Sequence, residues 1–166
     1  MMFKEKNVQS KVLEYIYTTS KQPILLKDML VANRQFNNGM QVDPGKLGFR
    51  LRLSRAYFLY IGIVLIILVP VSLLTHKALA KVDSHISILG AMVITAIIFI
   101  GFNFFRDKMR DIMTKELIKK SWKLHFPFFS YEDYSIKIDS IFEKAMKEEI
   151  SKKDLERYIL DKLTAN

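Results

Sequence analysis

The side chains able to do chemistry are few in this chain, and their spacing excludes more than it offers. There are three histidines, His76, His85 and His125, and no cysteine. Without a thiol, disulfides, thiolate metal sites and cysteine nucleophiles are all ruled out. His76 and His85 bracket a ten-residue stretch between two apolar blocks, where they could share a proton or a metal ion. Two ligands without a third make a poor zinc site, so no metal is assigned to them. The six glycines are scattered and form no phosphate-cradling loop, and neither a nucleophile elbow nor a helical zinc motif occurs. No catalytic residue and no cofactor are therefore expected, and the protein reads as a non-enzyme.

Transport chemistry has equally little to work with, because ion pathways usually need ionisable groups inside the apolar blocks. Ala56 to Thr75 and Ile86 to Phe105 are each twenty residues long without one Asp, Glu, Lys or Arg. Asn103 is the one strongly polar side chain in them, suited to a hydrogen bond with a neighbouring helix. Ser87, Ala91 and Thr95 recur every four residues, so they stack on one helix face and permit close approach. That face could receive the first block of the same chain or a helix of another chain. Pro70, in the outer third of the first block, predicts a kink or one loosened backbone bond.

At a rise of about 1.5 Å per residue, twenty residues span roughly 30 Å, the thickness of a bilayer's hydrocarbon core. Two such helices buried in a soluble core would leave too little of a 166-residue chain to cover them. The fold class that follows is an all-α membrane protein, a two-transmembrane-helix hairpin with small helical cytosolic N- and C-terminal segments. Its parts are a cytosolic, basic segment 1–55, a transmembrane helix 56–75, an outer connector 76–85, a transmembrane helix 86–105, a helical stalk 106–121 and a helical segment 122–166.

The net charge is +9, of which residues 1–55 carry +6, residues 56–105 carry +1 and residues 106–166 carry +2. Arg50, Arg52 and Arg55 precede the first block, and Arg106, Lys108 and Arg110 follow the second. Facing anionic membrane lipid, these residues are candidate headgroup ligands, and they explain the basic excess more economically than nucleic acid does. The connector has only Lys77 and Lys81 beside Asp83, so the positive-inside rule places both termini in the cytosol. Tyr57, Phe58, Tyr60, Phe102, Phe104 and Phe105 cluster at the same inner end, as interfacial aromatics do. Abundant Lys, Ile and Phe fit a bacterial inner membrane.

Outside the blocks, apolar spacing predicts short helices over 7–19 and 24–32. The text Val12-Leu13-Glu14-Tyr15-Ile16 followed by Ile24-Leu25-Leu26-Lys27-Asp28-Met29-Leu30 resembles the first two helices of winged-helix DNA-binding domains over about twenty residues. Where such a domain has its recognition helix, Asn33 to Met40 reads as a turn around Asn38-Gly39, so nucleic acid is not favoured as a partner. Lys46 to Leu53 alternates polar and apolar residues; a short strand is possible, but an interfacial segment at the membrane surface is preferred. Trp122 to Tyr131 is the most aromatic stretch and is expected to supply a small core, with Pro127 ending the helix before it.

The last thirty residues predict two helices, with Ser151 to Asp154 as a capping box between them. Ile150-Ser151-x-x-Asp154-Leu155-Glu156 resembles the two-helix SHOCT-type module, over about 26 residues, with Glu149 where that family usually has glycine. The resemblance implies oligomerisation or partner contact rather than catalysis. The leading expectation is a membrane scaffold or accessory subunit whose partners are other membrane protein subunits or, by self-association, copies of itself. A small homo-oligomeric pore and a membrane-tethered nucleic-acid binder are the alternatives.

Overall fold

The computed structural model describes residues 2–79 and 84–164, with side chains from 8–75 and 86–164. It is mostly helical, 76% in six helices, and two of these are long and apolar enough to cross a membrane. The order is α1 (Met2–Ile16), β1 (Tyr17–Thr19), α2 (Leu26–Asn37), β2 (Phe49–Leu51), α3 (Leu53–Leu79), α4 (Ser84–His125), α5 (Tyr131–Lys147) and α6 (Leu155–Thr164). Two compact units divide it, one of residues 1–17 and 51–110, the other of residues 18–50 and 111–166.

In the first unit, α3 starts before the expected boundary and passes through Pro70. The side chains of His76 and His85, and residues 80–83 of the expected connector, lie outside the described residues. α1 packs on the start of α3 through Leu13, Ile16 and Ala56, all buried. The Arg55 guanidinium lies 5.2 Å from the centre of the Tyr15 ring and donates to the Tyr15 carbonyl at 3.4 Å. The Arg52 amide donates to the Ile16 carbonyl at 2.8 Å, and the Arg52 carbonyl accepts from Ala56, so Arg52 opens α3.

The second unit draws on both flanks of the apolar pair. Met29 and Leu30 of α2, Ile118 and Trp122 of α4, Ile138 and Phe142 of α5 and Ile159 of α6 are fully or almost fully buried and form its core. The preference for an interfacial segment at 46–53 is corrected here. Phe49–Leu51 is a strand paired with β1, because its alternating residues put Phe49 into the core while Arg50 stays out. A Thr18 hydroxyl to Arg50 carbonyl bond of 3.2 Å ties the pair. The expected turn at 33–40 is also shorter than predicted, since α2 runs on to Asn37 and buries Asn33.

α2 and α5 end alike. Gly39 adopts φ +66°, its amide donating to Phe36 and that of Met40 to Gln35; Glu149 adopts φ +55°, its amide donating to Met146 and that of Ile150 to Ala145. Both are Schellman endings, and a left-handed residue is needed at each. Ser130 caps α5 by accepting from the Asp133 amide at 3.2 Å. Ahead of α6 the Ser151 hydroxyl donates to the Asp154 carboxylate at 2.6 Å. The Asp154 carbonyl then accepts from Tyr158, the first bond of that helix.

The aromatic stretch supplies core, as expected, with one exception. Trp122 and Phe126 are buried, the Trp122 indole N–H donates to the Phe129 carbonyl at 2.8 Å, and Tyr131 meets the indole edge-on at 5.2 Å. Phe128, beyond Pro127, is 92% exposed.

Candidate functional site

Among the described residues, two places combine special geometry with exposed surface, and each lies within one unit. In the first unit, Tyr60 donates from its hydroxyl to the Ile98 carbonyl at 2.8 Å. Its ring meets Phe102 and Phe105, each at 5.5 Å between centroids, and Tyr57 stacks on Phe102 at 3.9 Å. The arrangement exists because residue 101 is glycine, where an added Cβ would collide with the Tyr60 hydroxyl. This is an aromatic latch between α3 and α4. Beyond it the apolar residues of both helices are almost all exposed, Leu74 and Ile66 among them.

Ser87, Ala91 and Thr95, the expected packing face, are all exposed along α4, and Thr95 returns its hydroxyl to the Ala91 carbonyl at 2.8 Å. The close approach falls at Gly101 instead. Asn103 is likewise exposed. The only sequence signal for the latch is a lone glycine set among Ile and Phe, opposite a tyrosine whose hydroxyl needs a partner in an apolar block.

Of the six basic headgroup candidates, Arg50, Arg55 and Lys108 are exposed, and Arg52, Arg106 and Arg110 are half-buried. Asp107 takes up both neighbouring arginines, Arg106 at 3.4 Å and Arg110 at 3.5 Å. Arg55 is engaged with Tyr15 as described, so half of the set already has a partner within the chain.

In the second unit a polar seam runs between α2 and α5. Asn33, wholly buried, donates from its side-chain amide to the Ser135 carbonyl at 3.3 Å, and Arg34 pairs with Glu143 at 3.4 Å. Burial pushes the Asp139 carboxyl above the usual carboxylate range, against the pull of Arg34. On the surface, the Lys147 ammonium and then Arg34 hold Glu143 below that range, and Lys119 does the same for Glu132.

The same unit has a cavity of about 410 Å³ between the 19–24 segment and the last turns of α4. The segment is fastened at both ends. The Ser20 amide donates to the Gly48 carbonyl at 2.6 Å, and the His125 ring Nε2 lies 3.1 Å from the Ile24 carbonyl. Gly48, at φ +66°, leaves room for Ser20, whose Cβ would sit 3.0 Å from any Cβ added there. Lys21 of the 19–24 segment and Lys120 of α4 both line the cavity, as does Ser121, which is buried. Sequence reasoning missed this site: Lys21 reads as linker and Lys120 as exposed stalk, and no local pattern joins two residues from opposite ends of the chain.

No group of three or more His, Asp or Glu side chains suited to a metal ion occurs among the described residues. Comparison with protein-family models, with curated proteins and with solved structures finds no match to this chain.

Proposed function

We propose that this protein is a non-enzymatic membrane scaffold or accessory subunit of a larger membrane complex, resident in the bacterial cytoplasmic membrane. In this proposal the α3–α4 hairpin spans the bilayer and the 18–50/111–166 unit is displayed in the cytosol to bind partners. The observation that carries it is the bareness of the apolar helices. In their most apolar windows, 0% of residues in Leu53–Thr75 and 6% in Ile86–His125 are buried. Soluble proteins rarely leave contiguous apolar patches beyond a few hundred Å² exposed, whereas lipid solvates such a surface without cost.

The composition of the second unit supports the topology. Residues before α3 and after the apolar part of α4 share one hydrophobic core, so both flanks must lie on one side of any bilayer the hairpin crosses. The excess of Lys and Arg on those flanks over the connector makes that side the cytosol. Arg50, Arg52, Arg55, Arg106, Lys108 and Arg110 then meet anionic headgroups, Arg55, Arg106 and Arg110 while keeping their protein partners.

Affinity purification from native membranes in mild detergent, with mass spectrometry and native mass of the eluted particle, is the direct test. Foreign subunits in fixed ratio are expected. A lone monomer at native expression level would overturn the scaffold reading. A particle of this chain alone, lost on Ala91→Leu, would favour self-association through the exposed Ser87, Ala91 and Thr95 face and turn attention to a homo-oligomeric pore.

A further inference from the structure

We propose that the cavity between the 19–24 segment and the end of α4 binds a small amphipathic anion, a phosphate or carboxylate group carried on a short apolar body. Its volume of about 410 Å³ falls within the range of sites that enclose small ligands. Lys21 and Lys120 bring two positive charges to the lining, which contains no carboxylate. Neither ammonium pairs with a described acid elsewhere, so an anion held in the cavity would supply the counter-charge that both lack.

A second, independent observation concerns another residue of the same lining. Ser121 is 2% exposed and its hydroxyl has no hydrogen-bond partner among the described residues. A buried hydroxyl left unpaired is destabilising, and a ligand oxygen would give it a partner. Ser20 already accepts from the Gln22 amide at 3.1 Å, leaving its O–H free to donate. Beside the polar Thr19 and Gln22, the lining has an apolar part made by Pro23, Ile24, Leu47, Leu117 and an otherwise exposed Leu124, so an inorganic anion alone would leave that part wet. Fastening of the segment to Gly48 and to His125 holds both walls in place before a ligand arrives, which lowers the entropic cost of binding.

The cavity lies wholly in the 18–50/111–166 unit, and its occupancy does not depend on whether the protein recruits other subunits. The test uses the full chain in nanodiscs of neutral phosphatidylcholine, titrated calorimetrically with hexyl phosphate, inorganic phosphate and hexanol. Saturable binding of hexyl phosphate is expected, with the other two weaker by about tenfold or more, since each lacks one half of the recognition. The exposed double variant Lys21→Glu, Lys120→Glu is expected to abolish binding while leaving Trp122 fluorescence unchanged. Ser121→Ala, a milder change, is expected to weaken it about fivefold through loss of one hydrogen bond.

Absence of saturation at millimolar hexyl phosphate, or equal binding by the lysine double variant, would overturn the assignment. Repeating the titration in nanodiscs containing phosphatidylglycerol separates the sources of the anion. Competition by that lipid would identify a lipid headgroup as the occupant, and an unchanged titration would identify a soluble anion; either result upholds an anion site.

Discussion

The hairpin and the 18–50/111–166 unit treat their apolar residues in opposite ways. In the unit, Trp122, Phe126, Ile138, Phe142 and Ile159 are hidden against one another, and each is held by several elements at once. In the hairpin, Leu65, Ile66, Val69, Leu73 and Leu74 face outward, and the described side-chain contacts between α3 and α4 gather at the end nearest Tyr60 and Gly101. Water drives the first arrangement, because burying apolar area is the main favourable term in folding. It cannot drive the second, and helices in lipid associate through close packing and hydrogen bonds instead. The difference teaches that one chain can combine a core closed against water with a pair of helices long and apolar enough to cross a membrane.

The largest test of that contrast is Phe142→Ala. Truncating a buried aromatic costs about 3–5 kcal/mol, so the unit should melt at markedly lower temperature while the hairpin keeps its helix content. Trp122 is the only tryptophan and sits in that core, so its fluorescence reports the unit, and the far-ultraviolet dichroism that persists after its transition reports the hairpin. Loss of both signals together would mean that the two regions do not fold separately.

Gly101→Leu probes the other side of the comparison. It displaces the Tyr60 hydroxyl from the Ile98 carbonyl and breaks the ring cluster, a loss on the order of 1–2 kcal/mol. The chain has no native cysteine, so spin labels at Leu65→Cys and Val93→Cys can be placed without background. The distance distribution between them should broaden with Gly101→Leu, whereas Trp122 fluorescence should not move. An unaltered distribution would show that the latch does not hold the helices together.

Two smaller effects sharpen the picture of the folded unit. Glu149 occupies at the end of α5 the left-handed position that Gly39 occupies at the end of α2. A side chain there costs about 1 kcal/mol, so Glu149→Gly should raise the unfolding midpoint by that equivalent, while Gly39→Ala should lower it. Asp139→Asn concerns pH. Burial raises the Asp139 carboxyl, so the folded unit holds that proton more tightly than the unfolded chain does. Its contribution therefore declines as pH rises through the folded value and is fully favourable only below the unfolded one. The amide variant should be more stable than the native protein at neutral pH, and the gain should vanish on acidification; a gain that grows toward acid would refute the assignment.

Much of the fold is legible in the residue order because it depends on local pattern. Charge-free runs, helical spacing at 138–146 and 155–163, the Ser151-to-Asp154 box and the aromatic stretch all act within a few turns of chain. Glu149 is a different case: only the SHOCT-type resemblance singled it out, as standing in place of a glycine, and its left-handed conformation comes from the structure. The 46–53 segment was readable only in part, since alternation suits either a strand or a membrane surface, and the choice belonged to β1, some thirty residues earlier, which supplies the pairing edge.

What the residue order determined by itself, then, is where the chain is apolar enough to cross a membrane and which segments are helical, though not all of their ends, since length and periodicity are properties of neighbours in sequence. Only the tertiary structure decided that residues before α3 and after α4 share a core, that Gly101 rather than the Ser87, Ala91 and Thr95 face meets Tyr60, and that Lys21, Lys120 and Ser121 line one cavity. These are meetings of residues far apart in the chain. Their partners are selected by shape and burial in three dimensions, and no local spacing encodes them.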